Sequence, residues 1–285
     1  MSRIAYVNGR YLPRAEAAVS FEDRGYLFAD GVYEVCEVRE GRLIDERRHM
    51  ERLLRSLREL QIALPMALPS LSIVLHEVVR RNGVRDGIVY LQITRGVAKR
   101  DHAFPPPGTR PGIVVSASRI DPAKTEAIAA DGIAVITLPD NRWDRVDIKS
   151  IALLPNVLAK QAAKEQGARE AWFVADDGTI TEGSSSNAWI VTRDGALVTR
   201  KADRAILRGI TRTVLLDVLA AHNLILDERA FTVEEAQTAR EAFITSASQT
   251  VMPVVRIDGR PVGNGAPGLV ASALRRDFHR FAEKS

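Results

Sequence analysis

The sequence predicts an α/β (α+β) protein with two domains built on mixed sheets, and three observations support this prediction. The chain has 285 residues, near the length at which chains divide into two domains. Both halves contain many strand patterns but few helical patterns, which favours mixed sheets over a single parallel barrel. A fresh pattern starts after Arg119-Ile120-Asp121-Pro122. We therefore expect domains at 1–118 and 123–285, joined by a linker at 119–122.

The first half begins with a predicted hairpin, because Asn8-Gly9 separates the strand-like segments 4–7 and 10–11. Runs rich in β-branched residues predict further strands at 31–38, 42–44, 87–94 and 113–118. Apolar residues at helical spacing predict one helix from Glu46, with Asp45 as its N-cap, and another at about 71–81.

The second half is likewise predicted to contain both strands and helices. Its expected strands lie at 133–138, 147–149, 171–175, 188–192, 196–199 and 242–245. Its expected helices lie at 155–166, at 209–222 and at the C-terminal end of the chain.

Composition argues against several classes of protein. No run approaches the roughly 18 apolar residues of a membrane helix, and the N-terminal residues lack a signal-peptide pattern, so we expect no membrane partner. Cys36 is the single cysteine, which excludes an internal disulfide and favours the cytoplasm. The net charge is +4, but clusters such as Arg275-Arg276 lack neighbouring aromatics. Solvated helix faces explain them better than a nucleic-acid surface does.

Lys149 is the first candidate for chemistry, because it interrupts a strand-like run that continues into Ile151-Ala152. Burial among apolar neighbours disfavours the charged form of lysine, and covalent catalysis by lysine requires the neutral amine. The same pattern suits a lysine on a solvated edge strand. Taken alone, the segment favours that simpler interpretation.

Three further segments suit an anionic or heterocyclic ligand. The loop 179–187 contains Glu182, three serines and Asn187, and a carboxylate can hold a proton on a ring nitrogen. The segment 207–213 begins a helix, where free N–H groups favour an anion and Thr211 adds a hydroxyl. The loop 94–102 is rich in cations that would suit a carboxylate. A serine-rich surface loop, an ordinary helix cap and a solvated loop are the respective alternatives.

Together these segments resemble the class IV, fold-type IV aminotransferases, which use pyridoxal 5′-phosphate (PLP) and include D-amino acid transaminases, branched-chain aminotransferases and aminodeoxychorismate lyase. The likeness covers nearly the whole chain and implies the fold-type IV architecture. The segments that carry it are Glu22-Asp23-Arg24-Gly25-Tyr26-Leu27-Phe28-Ala29-Asp30-Gly31-Val32-Tyr33-Glu34, His49-Met50-Glu51-Arg52-Leu53, Asp147-Ile148-Lys149-Ser150, Leu158-Ala159-Lys160-Gln161 and Glu182-Gly183-Ser184-Ser185-Ser186-Asn187.

The resemblance implies a role for each candidate and no metal ion. Lys149 matches the catalytic Schiff-base lysine, Glu182 the carboxylate beside the pyridine nitrogen, and Arg52 an arginine that binds the cofactor phosphate. The other implied cofactor contacts are Ser185, Ser186, Asn187, Leu207, Gly209, Ile210, Thr211, Ser246 and Ala247. Members of the family often have threonine where Ala247 stands, so one hydroxyl contact is missing here.

Arg100-Asp101-His102 resembles the Arg-x-His loop of D-amino acid transaminases, in which the partner subunit of a homodimer supplies the arginine and histidine. With Tyr33 they would bind the substrate carboxylate. Alternation along the strand places Val35 and Glu37 on the face of Tyr33, so both could face the pocket, and Val35 is a further candidate for substrate binding. Tyr90 is either a further pocket residue or a core aromatic.

The implied reaction is transamination from a D-alanine-like donor to a 2-oxo acid such as 2-oxoglutarate or pyruvate. Within the family, a branched-chain L-amino acid aminotransferase is the alternative, followed by aminodeoxychorismate lyase and an (R)-amine transaminase. From a different class, the chain could be a non-catalytic basic binding protein, whose nucleic-acid binding would depend steeply on salt.

Overall fold

The computed structural model describes residues 4–221 and 224–285. Its contacts divide the chain into two units. The first comprises the chain as far as Asp121, together with Ile148–Ala152 and Glu283–Ser285. The second comprises Pro122–Asp147 and Leu153–Ala282. The domain limits 1–118 and 123–285 stay a prediction, and the structure differs from them most at Lys149, which lies with the first unit.

The first unit is a six-stranded sheet covered by helices. Its strands are β1 Ile4–Val7, β2 Arg10–Pro13, β3 Gly31–Arg39, β4 Arg42–Leu43, β5 Gly87–Thr94 and β6 Gly112–Arg119. Its helices are α1 Arg24–Phe28, α2 Glu46–Glu59 and α3 Leu68–Arg81. The strand order is β2-β1-β6-β5-β3-β4, and every pair is antiparallel. Asn8 and Gly9 both have positive φ, as the predicted tight hairpin requires.

The second unit is a nine-stranded mixed sheet. Its strands are β7 Ile133–Pro139, β8 Glu170–Val174, β9 Ile180–Gly183, β10 Asn187–Val191, β11 Leu197–Thr199, β12 Leu226–Glu228, β13 Glu241–Ser246, β14 Thr250–Ile257 and β15 Arg260–Pro261. Its helices are α4 Pro122–Asp131, α5 Leu154–Glu165, α6 Ile210–Ala221, α7 Val233–Thr238 and α8 Leu269–Phe281. The order is β12-β11-β10-β13-β14-β7-β8-β9, with β15 beside β14. The pairs β11–β12, β14–β7 and β7–β8 are parallel.

The packing follows the alternation of each strand. In the first unit, α2 and α3 cover one face of the sheet through buried residues such as Leu53, Leu57 and Leu75. In the second unit both faces are covered. Along β10, Ile190 packs on the side of α7, whereas Trp189 packs on the side of α6 and α8. Neighbouring strand residues point to opposite faces, which explains this division.

Helix α4 was missed because it begins at Pro122, inside the predicted linker. Proline suits the first turn of a helix, so this residue starts an element as readily as it ends one. Only Ala129 of this helix is buried, and the segment therefore lacks the apolar stripe that reveals a helix in a sequence. The predicted helix 209–222 is observed as Ile210–Ala221, and residue 222 lies outside the described part. In the described residues, no helix has the length and apolar character needed to cross a bilayer.

Asp45 stands at the N-cap position of α2, but its side chain does not cap the helix. The residue has φ 55°, and its Oδ1 accepts the backbone N–H of Glu283 at 3.0 Å. Burial raises the pKa of Asp45 to about 6, although the Glu283 hydrogen bond acts in the opposite direction. The folded protein therefore favours the neutral carboxyl.

Asp45→Asn is expected to remove a pH-dependent loss of stability. Because the folded pKa is raised, the contribution of Asp45 is fully present below its ordinary pKa of 3.8 and is lost as pH rises through about 6. The free energy of unfolding of the wild type should fall relative to the variant by up to about 3 kcal/mol between pH 4 and 7. Asparagine tolerates positive φ and keeps an acceptor for Glu283. Urea unfolding at several pH values tests this, and parallel profiles for the two proteins would contradict it.

Candidate active site

Backbone hydrogen bonds fix the segment of Lys149 against strand β3. The N–H of Tyr33 donates to the carbonyl of Lys149 at 3.0 Å, and the N–H of Lys149 donates to Oγ of Ser56 at 3.3 Å. The next residue, Ser150, forms an isolated antiparallel bridge with Val32. The position of the lysine backbone is therefore set by the central part of the first unit.

The prediction of a strand at 147–149 is wrong. Residues 144–147 form a turn, and within residues 144–150 only Ser150 forms a bridge with β3. A single bridge is too short to count as a strand. The alternating apolar pattern around Lys149 reflects the burial of Ile148, whose side chain lies in the core of the first unit.

The side chain of Lys149 lies half-buried over an aromatic face. Its Nζ is 4.0 Å from the centroid of the Tyr33 ring, which stacks on the ring of Tyr90 at 5.7 Å. The hydroxyl of Tyr90 donates to Gln92 Oε1 at 2.7 Å, and burial raises the pKa of Tyr90 to about 12. Tyr33, Val35 and Glu37 are half-buried and alternate with buried residues, so the predicted shared face is confirmed. This face, opposite the core, holds the amine.

Arg52 forms a buried ion pair on the neighbouring helix α2. Its Nε and Nη2 donate to the two carboxylate oxygens of Glu34 at 2.8 and 2.7 Å, and His49 Nδ1 lies 2.8 Å from the same carboxylate. Burial alone would raise the pKa of Glu34, but Arg52 outweighs it and holds that pKa at about 2. Burial lowers the pKa of His49. The arginine that was predicted to bind a phosphate is thus oriented by a glutamate.

Arg100 and His102 lie in the connection between β5 and β6 and are exposed. Both side chains adjoin the ring of Phe28. The guanidinium carbon of Arg100 is 5.2 Å from that ring centroid, and the imidazole of His102 is 5.4 Å from it. Arg100 and His102, the two residues predicted to bind the substrate carboxylate, therefore both lie beside the ring of Phe28.

In the second unit, Glu182 at the end of β9 accepts three N–H donors. Arg142 Nη1 lies 2.5 Å from its Oε1, while Asn187 Nδ2 and the backbone N–H of Leu207 lie 3.1 and 3.0 Å from its Oε2. Only an acceptor can satisfy three donors, so this arrangement suits the ionised carboxylate. Three of the predicted cofactor residues are thereby joined in one cluster.

Arg142 is a residue of this cluster that the sequence did not reveal. Its Nε and Nη2 donate to the carboxylate of Asp140 at 2.9 and 2.7 Å, so the guanidinium lies between two carboxylates. Thr181, next to Glu182, donates to the same Asp140 at 2.7 Å. No motif marks Arg142, because its partner is 40 positions away along the chain.

The three serines that follow Glu182 share one buried acceptor. Ser184, Ser185 and Ser186 all donate their hydroxyls to the carboxylate of Glu170 on β8, from 2.9 Å for Ser185 and 3.1 Å for Ser186. Lys160 on α5 lies 3.2 Å from the same carboxylate. The polar loop is therefore held rigidly rather than solvated, and Glu170 is a second residue missed from the sequence.

The start of helix α6 has the features of an anion site. The first N–H groups of a helix have no partner within it, and Ile210 and Thr211 occupy these positions. Gly209 precedes them, and a Cβ there would lie 2.1 Å from Oδ1 of Asn187, so any other residue would displace the amide that donates to Glu182. Ser246 and Ala247 stand at the turn between β13 and β14, both half-buried. The backbone of both segments can therefore offer N–H donors.

Comparisons with known proteins agree on one family. The model of amino-transferase class IV matches residues 31–257. The D-alanine aminotransferase of Staphylococcus haemolyticus is 40% identical over 278 residues, which cover 98% of this chain and 97% of the relative. That of Bacillus licheniformis is 42% identical over 261 residues, covering 92% and 90%.

A solved structure gives the same result for the architecture. A T.th. branched-chain amino acid aminotransferase with pyridoxamine 5′-phosphate has a TM-score of 0.89 and 26% identity, covering 98% of this chain and 94% of that one. The fold-type IV prediction is confirmed. Because the family model spans both units and the identity to the curated relatives extends over almost the full length, this chain belongs to the class IV aminotransferases.

Proposed function

We propose that this chain catalyses PLP-dependent transamination of D-amino acids, with a D-alanine-like donor and a 2-oxo acid such as 2-oxoglutarate or pyruvate as acceptor. The observation that carries the proposal is the half-buried amine of Lys149, held 4.0 Å above the ring of Tyr33. Relatives at 40 and 42% identity that are D-alanine aminotransferases support this choice of donor.

The described residues fit the cofactor. Glu182, which its N–H donors favour as the ionised carboxylate, would accept the protonated ring nitrogen. Thr211 stands in the first turn of α6 and is 5% exposed, and its hydroxyl and backbone N–H would hold the phosphate. The other proposed contacts are Arg52, Ser185, Ser186, Asn187, Leu207, Gly209, Ile210, Ser246 and Ala247.

The chain's own residues divide the work of catalysis. When bound, PLP supplies an electron sink that makes the Cα proton of an amino acid removable. Lys149 would hold the cofactor through Nζ, and the same Nζ, as a neutral amine, would carry the proton away from Cα of the substrate. Tyr33, together with the exposed Arg100 and His102 supplied across the dimer, would bind the substrate carboxylate and thereby decide which hand of amino acid presents its Cα proton to Lys149. The two half-reactions imply ping-pong kinetics.

A homodimer in the cytoplasm is part of this proposal. Arg100 and His102 are exposed in a single chain, and large apolar side chains of the same unit are exposed as well, namely Phe21, Tyr26 and Phe104. Phe21 adjoins Glu22, whose carbonyl accepts the N–H of Ala98, so exposed apolar side chains lie beside the loop of Arg100, which supports an interface there. The buried thiol of Cys36 agrees with a reducing compartment. The partners are small amino and 2-oxo acids, with no nucleic acid and no membrane.

The test compares D-alanine with L-leucine as donor and 2-oxoglutarate as acceptor, using protein saturated with PLP. D-alanine should be used with the higher kcat/KM. A branched-chain aminotransferase is the second candidate, supported by the structure at TM-score 0.89, and preference for L-leucine would establish it instead. Release of pyruvate from aminodeoxychorismate without an acceptor would identify the lyase, and a simple (R)-amine as the best donor would identify the amine transaminase.

Arg100→Ala is expected to raise the KM for D-alanine by about 10- to 100-fold, with a smaller effect on kcat. A charge-assisted hydrogen bond contributes about 1.5–3 kcal/mol, and the arginine acts on the carboxylate rather than on Cα. Steady-state kinetics give both constants. Arg110→Ala, an exposed arginine of the same connection, is the matched control. Equal kinetics for both variants would remove Arg100 from substrate binding.

A further inference from the structure

The loop that carries Arg100 and His102 is built against helix α1, a segment to which the reaction assigns no role. We call residues 96–102 the carboxylate loop. Its backbone pairs with the residues just before and at the start of α1. The N–H of Arg24 donates to Gly96 O at 2.9 Å, the N–H of Ala98 donates to Glu22 O at 3.3 Å, and Asp23 and Val97 form an antiparallel bridge.

The side chain of Arg24 fixes the other end of the carboxylate loop. This guanidinium is only 4% exposed and pairs through Nε with Asp30 at 2.8 Å. Its remaining nitrogens point to the loop, where Nη1 donates to Asp101 O at 2.5 Å and Nη2 donates to His102 O at 3.4 Å. A planar guanidinium holds its donors in a fixed fork, so these contacts set the course of the backbone between Arg100 and His102.

Asp30 connects Arg24 to the rest of the first unit. Its carboxylate also accepts Arg95 at 2.7 and 3.0 Å, and Arg95 donates further to the carbonyls of Leu60 and Gln61 at the end of α2. Burial would raise the pKa of Asp30, but the two arginines lower it below the ordinary value. Arg24 is therefore anchored by an ionised carboxylate that cannot move freely.

The ring of Phe28 orients the side chains that the loop presents. It is half-buried at the end of α1 and lies 4.8 Å from the guanidinium carbon of Arg24. The same ring lies 5.2 Å from the guanidinium carbon of Arg100 and 5.4 Å from the imidazole of His102. An arginine over an aromatic face is attracted to it, which limits the directions that its long side chain can take.

We propose that Arg24 and Phe28 are positioning residues for substrate recognition: Arg24 sets the backbone of the carboxylate loop, and Phe28 sets the directions of Arg100 and His102. The proposal rests on the proposed function, because it assumes that the loop binds a substrate carboxylate. It predicts that α1 governs KM for amino acids while leaving the chemistry of Lys149 unchanged. In this proposal both residues act through Arg100 and His102 and not on the substrate directly.

The test is a double-mutant cycle between Phe28→Leu and Arg100→Ala on the PLP-saturated protein. Leucine keeps the apolar volume but removes the aromatic face. Phe28→Leu alone should raise the KM for D-alanine by about three- to tenfold, the range that one aromatic–cation contact supplies, with kcat and the cofactor absorbance unchanged. In the Arg100→Ala background its effect should be clearly smaller, because its main partner is gone.

Tyr11→Leu is the matched control. In the same unit, Tyr11 lies under Arg81, whose guanidinium carbon is 4.1 Å from its ring centroid, so the variant loses the same kind of contact on strand β2 and helix α3 instead of on α1 and the loop. This variant should leave KM unchanged. Arg24→Lys supplies a second measurement, because it keeps the buried charge beside Asp30 but loses the forked donors. It should also raise KM more than it lowers kcat.

Each result decides between distinct conclusions. Additive effects of Phe28→Leu and Arg100→Ala on KM, or equal KM for Phe28→Leu and Tyr11→Leu, would overturn the positioning role while leaving the proposed function intact. A fall in kcat and a loss of cofactor absorbance in Phe28→Leu would show that Phe28 merely supports the fold. This result would also overturn the positioning role. A wild-type protein without activity on D-alanine would refute the proposed function first, and the inference with it.

Discussion

Lys149→Ala is expected to reduce transamination of D-alanine by more than about 10³-fold. General acid–base transfer alone contributes roughly 10²–10⁴-fold, and this variant also loses the covalent attachment of the cofactor. In the wild type, borohydride should attach the cofactor irreversibly to Lys149, and peptide mass mapping should find the adduct there. In the variant the same treatment should leave the protein unlabelled. The absorbance of the coloured wild-type protein provides an independent measurement.

Lys164→Ala is the matched control for this experiment. Lys164 is an exposed lysine in the last turn of α5, and its removal should change neither activity nor labelling. A Lys149→Ala variant that keeps more than a tenth of the wild-type rate would refute the assignment. So would an adduct found on another lysine. A protein that remains colourless and inactive after addition of PLP would refute the cofactor itself.

Glu34→Gln is expected to lower the free energy of unfolding by about 3–5 kcal/mol, the cost of breaking a buried ion pair by removing one partner. The carboxylate of Glu34 is 1% exposed and neutralises Arg52, which is itself 10% exposed. Glutamine would leave that guanidinium buried without a counter-charge. Urea unfolding gives the free energy, and it should be measured with and without PLP because Arg52 is also a proposed phosphate contact.

Glu77→Gln separates burial from ion pairing. The pKa of Glu77 is also lowered to about 2, by Arg80 and Arg81, but these ion pairs lie on the solvent-facing side of α3. Solvent screens such pairs, so this variant should be nearly as stable as the wild type. If both glutamine variants unfolded alike, the structural importance of the Glu34–Arg52 pair would be disproved.

The pH dependence of the free energy of unfolding provides a second test of the Glu34–Arg52 ion pair. A lowered folded pKa means that the contribution of Glu34 is present above about 4.5 and is lost as pH falls towards 2. The Glu34→Gln variant should therefore show a flatter loss of stability in acid. The Asp45 effect runs in the opposite direction and lies mainly between pH 4 and 6, so the two groups can be distinguished within one titration.

The elements with strong periodicity could be predicted from the sequence. The hairpin at Asn8-Gly9, the long strands β3, β5 and β6, and the helices α2 and α3 follow from turn chemistry and apolar spacing. Four strands of the second unit were missed, namely β9, β12, β14 and β15, and so were the helices α1, α4 and α7. Most of these are short, and β14 is buried along nearly its whole length, so its sequence shows no alternation.

For the candidate site, the sequence revealed the residues that stand within recognisable motifs and missed those that act on them. Lys149, Glu182 and Thr211 lie in such motifs, whereas Arg142 and Glu170 are ordinary charged residues until the fold brings them to Glu182 and to the serines. Their importance depends on contacts between distant segments. A single sequence contains no direct record of such pairs.

Residues 148–152 belong to the first unit although they are encoded well within the second, and Lys284 returns to pair with Ile44. A gene divided after codon 121 would therefore yield an N-terminal fragment that lacks both its lysine segment and its closing C-terminal residues. Neither fragment would be a complete module that could be exchanged or inherited on its own. Recombination between related genes would preserve activity only where residues 148–152 and 283–285 come from a parent compatible with the rest of the first unit.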